Sequence, residues 1–197
     1  MNPHSGWTLQ RLRLPALAAR ARAGQRLQIE GEPQALPLLR AEGCEIDVLT
    51  PAHWPALPAE RALDLTGEGV DDTQASEAQL ILTQGLHSAA AAFLSHRLRQ
   101  HCPPVFIDWP EPPFRAVPSR LYMPHLPAGV IAAWPLLEDR GVPSRLCRPD
   151  DAPPGWFEGH ALALAAQLLP AEGRVLAFGD ARFLSEVRRH FPRAIAD

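Results

Sequence analysis

Four short stretches hold the residue types that can do chemistry. The first is "TQGLHS" (83–88), where Gln84, Gly85, His87 and Ser88 join a continuously apolar run to an alanine-rich one. A serine just ahead of a helix caps it by accepting from first-turn N–H groups. A histidine in the same place has its cationic form disfavoured by the positive end of the helix dipole. Neutral His87 is therefore suited to a hydrogen bond or to metal ligation, and Ser88 lacks the G-x-S-x-G frame of a nucleophile elbow. The second stretch is "VFIDWP" (105–110), where Asp108 ends an apolar run. A carboxylate there can act as a general base, contact a ribose, or cap a loop. The third is "FGDARF" (178–183), with Gly179 and Asp180 ahead of a helical pattern, and the fourth is "EGEP" (30–33), with Gly31 and Glu32 in the same relation. These residues are the candidate ligand contacts. None is assigned as catalytic, and no zinc-type spacing or other metal set is present.

What places them is a run of strand and helix patterns. Segment 26–31 reads as a strand, 32–43 as a helix with Pro33 in its first turn and Gly43 as its stop, and 45–51 as a second strand. That is a βαβ unit, which implies a parallel sheet with a right-handed crossover. Further strands are expected at 78–84, 103–110 and 173–180, with 193–197 able to begin another. Helices are expected at 88–100, within 128–141, at 157–169 and at 181–191. The fold class is α/β: a Rossmann-like open parallel sheet flanked by helices. Ligands of such sheets bind beyond the carboxyl ends of the strands, where these candidates fall. The expected organisation is an N-terminal helical segment (1–25), a Rossmann-like domain (26–127), and a helical connection with a further βα unit (128–197). Gly31-Glu32 and Gly179-Asp180 stand in similar frames. Either all βα units look alike, or each pair opens its own Rossmann-like unit, the second incomplete.

Composition narrows the function. The 197 residues are 46% hydrophobic, enough for one sizeable core. The net charge of −3 gives no electrostatic reason to expect nucleic acid or an anionic membrane surface. No lysine is present, so Schiff-base chemistry, a P-loop and lysine-dependent kinase chemistry are excluded. Cys44, Cys102 and Cys147 are odd in number and far apart, which suits a reducing compartment better than a disulfide framework. No apolar stretch reaches the roughly 18 residues of a spanning helix, and arginines interrupt every apolar run near the N-terminus. A cytoplasmic protein is expected. The eight prolines between Cys102 and Pro127 imply ordered, extended connections in place of regular helix.

Three stretches together resemble the nitrogenase component 1-type family, its oxidoreductase subunits and cofactor-assembly scaffolds. They are "GQRLQIEGEPQALPLLRAEGCEIDVLT", "ASEAQLILTQGLHSAAAAFLSHRLRQHCPPVFIDWP", and "LPAGVIAAWPLLEDRGVPS" followed by "GRVLAFGDARFLSEVRRHF". The resemblance implies a shortened accessory or scaffold subunit of a metal-cofactor or reductase system. It also implies a protein partner or a homo-oligomer, and an iron–sulfur or metal cofactor held through that partner. No family cluster ligand maps onto Cys44, Cys102 or Cys147, and the sequence names no cofactor of its own. Two other readings stand beside it. One is a non-enzymatic α/β interaction module. The other is a methyltransferase-like domain, because "GRVLAFGDARFLSEVRRHFPRAIAD" resembles the first S-adenosylmethionine motif, with Asp197 as the ribose acid. There is no G-x-G-x-x-G dinucleotide fingerprint.

Overall fold

The computed structural model describes residues 6–54, 57 and 62–196. Two large sheets and a two-stranded hairpin make up the described residues' β-structure. The first is antiparallel and takes the N-terminal third: β1 (Trp7–Arg13), β2 (Arg26–Ile29), β3 (Leu36–Glu42), β4 (Glu45–Pro51) and β5 (Leu63–Thr66), in the order β1-β4-β3-β2-β5. A short helix α1 (Pro15–Ala18) follows β1, with Pro15 in its first turn. This corrects the sequence reading in two places. Residues 7–13 are a strand where helical turns were expected, and residues 36–42 are a strand where a helix was expected. Pro37 explains part of the second difference, because it cannot donate within a helix. Gly43 explains the rest. It is the first residue of the two-residue loop between Glu42 and Glu45, with φ of 58°, so it turns a hairpin and does not end a helix. The segment 24–51 is therefore an antiparallel meander, not a βαβ unit.

The second sheet matches the expected class. Its strands are β6 (Leu80–Gln84), β7 (Val105–Asp108), β10 (Ser144–Arg148), β11 (Phe157–Glu158), β12 (Val175–Phe178) and β13 (Ile195–Ala196). All are parallel, in the order β11-β10-β7-β6-β12-β13. Between them lie α2 (Asp72–Ser76), α3 (Ala89–Leu98), a small hairpin β8 (Val117–Pro118) with β9 (Ala132–Ala133), α4 (Pro135–Asp139), α5 (Ala161–Leu168) and α6 (Ala181–His190). The proline-rich run carries the hairpin and irregular connections. The strand at 144–148 was not expected from the sequence. Asp197, the acid of the methyltransferase-like reading, lies outside the described residues.

The parallel strands alternate between two cores. Ile81, Val105, Ile107, Leu176 and Phe178 face one side; Leu80, Leu82, Phe106, Val175 and Ala177 face the other. The second side is closed by α5 and α6 through Ala161, Leu164, Phe183, Val187 and Phe191. The first side is closed by α3, whose residues Ala89 to Ser95 are all buried. The far face of α3 packs on β3, and one continuous core joins Leu27, Ile46 and Val48 to Ala91, Phe93 and Leu94. A helix squeezed between two sheets needs small side chains on both flanks, which accounts for its four consecutive alanines. Among the described residues no helix is long and apolar enough to cross a membrane.

Candidate functional site: an interdomain cavity and a strand-end crevice

The strand order reverses at β6: β7 lies on one side of it and β12 on the other. The chain crosses over one face between β6 and β7 and over the other before β12, so the switch-point crevice opens over the carboxyl ends of these strands. It has a volume of about 600 Å³. Gln84, Asp108 and Asp180 line it together with His160, Phe183 and Glu186.

Asp108 reaches it from the end of β7 and is buried. Its Oδ1 accepts from the Ala161 N–H at 2.6 Å, and its Oδ2 lies 3.3 Å from His160 Nδ1. Burial pushes its pKa up to about 6, against the opposing pull of the Ala161 N–H and of His160. Asp180 caps α6 by accepting from Phe183 N–H at 2.8 Å, while its own N–H donates to Gln84 Oε1 at 3.2 Å. Glu186 pairs with Arg182 at 3.2 Å.

The other candidates are drawn elsewhere. Ser88 is buried, and its hydroxyl meets that of Thr83 at 2.8 Å without capping α3. Gly85 adopts φ of 52° at the start of the single turn (Gly85–Ser88) that precedes α3. His87 turns away from the crevice towards the antiparallel sheet, where Arg26 Nη2 lies 2.8 Å from its Nε2. Burial, then the Arg26 charge, lowers its pKa to about 4, so the ring is neutral. The neutral form was expected from the helix dipole, whereas desolvation and Arg26 produce it. Gly179 is packed under Phe183: a Cβ there would come within 2.2 Å of the ring. Gly31 and Glu32 lie in the turn after β2, where Glu32 N–H donates to Ile29 O at 3.0 Å. They belong to the antiparallel sheet and are not at the parallel-strand edge.

A second hole lies between the two sheets. Leu9, Leu39 and Leu49 on β1, β3 and β4 form one side, and Trp109, Phe114 and Trp134 form the other. Its volume is about 590 Å³. Phe114 stacks on Trp134 with ring centroids 5.0 Å apart and planes 8° apart, and Trp109 meets both edge-on. Arg40, Arg115 and Arg140 line it with a single carboxylate, Asp47. Arg11 holds both oxygens of Asp47, at 2.7 and 3.1 Å, and Arg40 Nε lies 3.3 Å from it. Arg40 Nε is buried yet has no hydrogen-bond partner. Arg140, just after α4, donates to Ala92 O at 2.6 Å and to Ser95 Oγ at 2.8 Å, which ties α4 to the middle of α3. Sequence reasoning noticed Trp109 only as the neighbour of Asp108. The available signal was the placing of Trp109, Phe114 and Trp134 beside prolines, in segments too irregular to be core strands.

Among the described residues no group of three His, Cys, Asp or Glu gathers as a metal set, and the three cysteines are free. Burial drives the thiol pKa of Cys102 up to about 12 and also raises that of Cys147, so neither is an available thiolate.

No family model matches this sequence, and no curated protein matches it. Solved structures do. The chain is similar to the FAD/NAD-binding domain of a flavohaem-like nitric oxide dioxygenase from Vibrio cholerae O1 biovar El Tor. That match has a TM-score of 0.57 and 14% identity, covering 90% of this chain and 84% of the other. It is similar to the NADH-dependent reduced ferredoxin-NADP oxidoreductase of flavin-based electron bifurcation, with a TM-score of 0.54 and 11% identity over 94% of this chain and 68% of that one. It also resembles the Amycolatopsis cytochrome P450 reductase GcoB, with a TM-score of 0.57 and 11% identity over 89% and 60%. These neighbours overturn the nitrogenase component 1 resemblance, and with it the reading as a cofactor scaffold. The physical reason is the N-terminal third. The supposed strand–acid–helix opening is an antiparallel meander, and the likeness in fold to these solved structures spans 89 to 94% of the chain, that sheet included. Neither the interaction-module nor the methyltransferase-like reading gains support from them.

Proposed function

We propose that the chain is a flavin-nucleotide-binding module of the reductase type, with the flavin held in the cavity between the two sheets. The observation that carries this reading is the lining of that cavity. Stacked Phe114 and Trp134 with edge-on Trp109 offer an aromatic wall, and Leu9, Leu39 and Leu49 an apolar floor. Its size falls within the range of small-molecule and cofactor pockets, roughly 300–1,000 Å³. The charges suit a nucleotide. Asp47 is paired with Arg11 and Arg40, which also serve Glu45 and Glu42 at the rim, and Arg115 and Arg140 remain in the lining as positive charge for phosphate. Likeness in fold to FAD/NAD-binding domains supports the same class of ligand.

In this reading Trp134 and Phe114 hold the planar ring system, the leucines exclude water from it, and Arg115 and Arg140 hold the phosphate end. A bound flavin supplies an acceptor for a hydride equivalent and a donor of single electrons. The test is a titration of the purified chain with FMN and FAD, read by tryptophan emission, since two of the five tryptophans in the chain stand in the wall. Saturable quenching is expected. Trp134→Leu and Arg115→Glu should each weaken it by about tenfold, the scale of one aromatic contact or one charge pair. No saturable quenching, or affinities unmoved by both substitutions, would overturn the reading.

A further inference from the structure

We infer that the strand-end crevice of this chain does not take a nicotinamide dinucleotide, because the positions where the fold would hold phosphate are filled by the chain's own side chains. A dinucleotide needs free helix N-termini or cations for its pyrophosphate. Three helices start at this edge, and at each one the chain's own side chains engage a first-turn N–H or close the turn. At α5, the Ala161 N–H is taken by Asp108. At α6, the Phe183 N–H is taken by Asp180. At α3, the turn is closed against the antiparallel sheet by the contact between Arg26 and His87, and only about 10 Å³ of space remains among Pro37, Leu38, Leu86 and His87.

Charge points the same way. Asp108, Asp180 and Glu186 line the crevice with one arginine, Arg182, which is already paired with Glu186, and two histidines, His160 beside Asp108 and His190. A pyrophosphate entering here meets like charge at close range, which opposes its binding. The two carboxylates that cap α5 and α6 also cancel the helix-end potential that would attract it.

The inference bears on the flavin reading only in excluding this crevice as the seat of a hydride donor, and the two are read by different signals. Calorimetric titration with NADH, NADPH and AMP tests the crevice, while tryptophan emission tests the cavity. No saturable dinucleotide binding is expected for the natural chain. The double substitution Asp180→Ser with Glu186→Gln keeps a cap on α6 and removes both charges. It should raise the affinity for AMP and NADH at least tenfold. Saturable NADH or NADPH binding by the natural chain, weakened by Arg182→Ala, would overturn the inference. So would a double variant that folds, by its thermal transition, and gains no affinity.

Discussion

The cavity between the sheets and the crevice over the parallel strand ends are nearly equal in size, about 590 and 600 Å³, and differ in almost everything else. Three arginines and three aromatic side chains line the cavity, and its single carboxylate is paired with Arg11 and Arg40. The crevice carries three carboxylates, two of them spent on helix N-termini. The backbone supplies both holes, because a switch point and an inter-sheet gap follow from the topology alone. Side-chain charge decides which of them welcomes a phosphate. A likeness in fold transmits the first kind of information and not the second.

The contrast can be broken or sharpened by substitution. The largest effect is expected at the cavity wall. Trp134 is 6% exposed, and Trp134→Ala should cost about 3–5 kcal/mol in denaturant unfolding, because it removes both a stacking partner and packed volume. A loss well under that range would mean that the aromatic wall is not a packed unit. Next comes the floor of the crevice. Gly179→Ala places a methyl against the Phe183 ring and should cost about 1–3 kcal/mol by the same measurement. An alanine tolerated there without loss would show that Phe183 is free to move.

Two smaller effects are pH-dependent and opposite in sign. Asp108 has a folded pKa of about 6, above its ordinary 3.8, so the native state holds its proton more tightly than the unfolded chain. Its contribution is present in full below pH 3.8 and is lost as pH rises through about 6. Thermal melts of Asp108→Asn across that window should lack this decline. His87 behaves in reverse. Its folded pKa of about 4 lies below 6.5, so its contribution is present above pH 6.5 and is lost as pH falls through about 4. His87→Gln should flatten this smaller acid-side loss, and an unchanged profile would mean that the ring is solvated despite its contact with Arg26.

The parallel half was legible because its strands are covered on both faces. "LILTQ" and "VFID" read as apolar runs bounded by turn residues, and nothing local competes with that signal. The antiparallel half was not. In "LPLLRAE" the apolar residues fall two and three apart as well as adjacent, so periodicity alone could not separate helix from strand. What decided it was the pairing of β3 with β4 and β2, which is a long-range fact. The crevice was partly legible for the same reason as its strands: Gln84 and Asp108 each end one, and Asp180 lies just beyond another. The cavity was not, because Leu9, Arg40, Asp47, Trp109 and Trp134 come from separate segments that only the packing of one sheet on the other brings together.

The alanine-rich helix α3, walled by a sheet on either side, also governs how the molecule opens. Over its buried stretch, Ala89 to Ser95, the backbone can reach water only when one sheet lifts away from it, and lifting either sheet exposes the core of both. The amide protons of that stretch should therefore be among the slowest in the chain to exchange with solvent, released only by global unfolding. The antiparallel and parallel halves, different as they are in architecture, should then melt in one cooperative step.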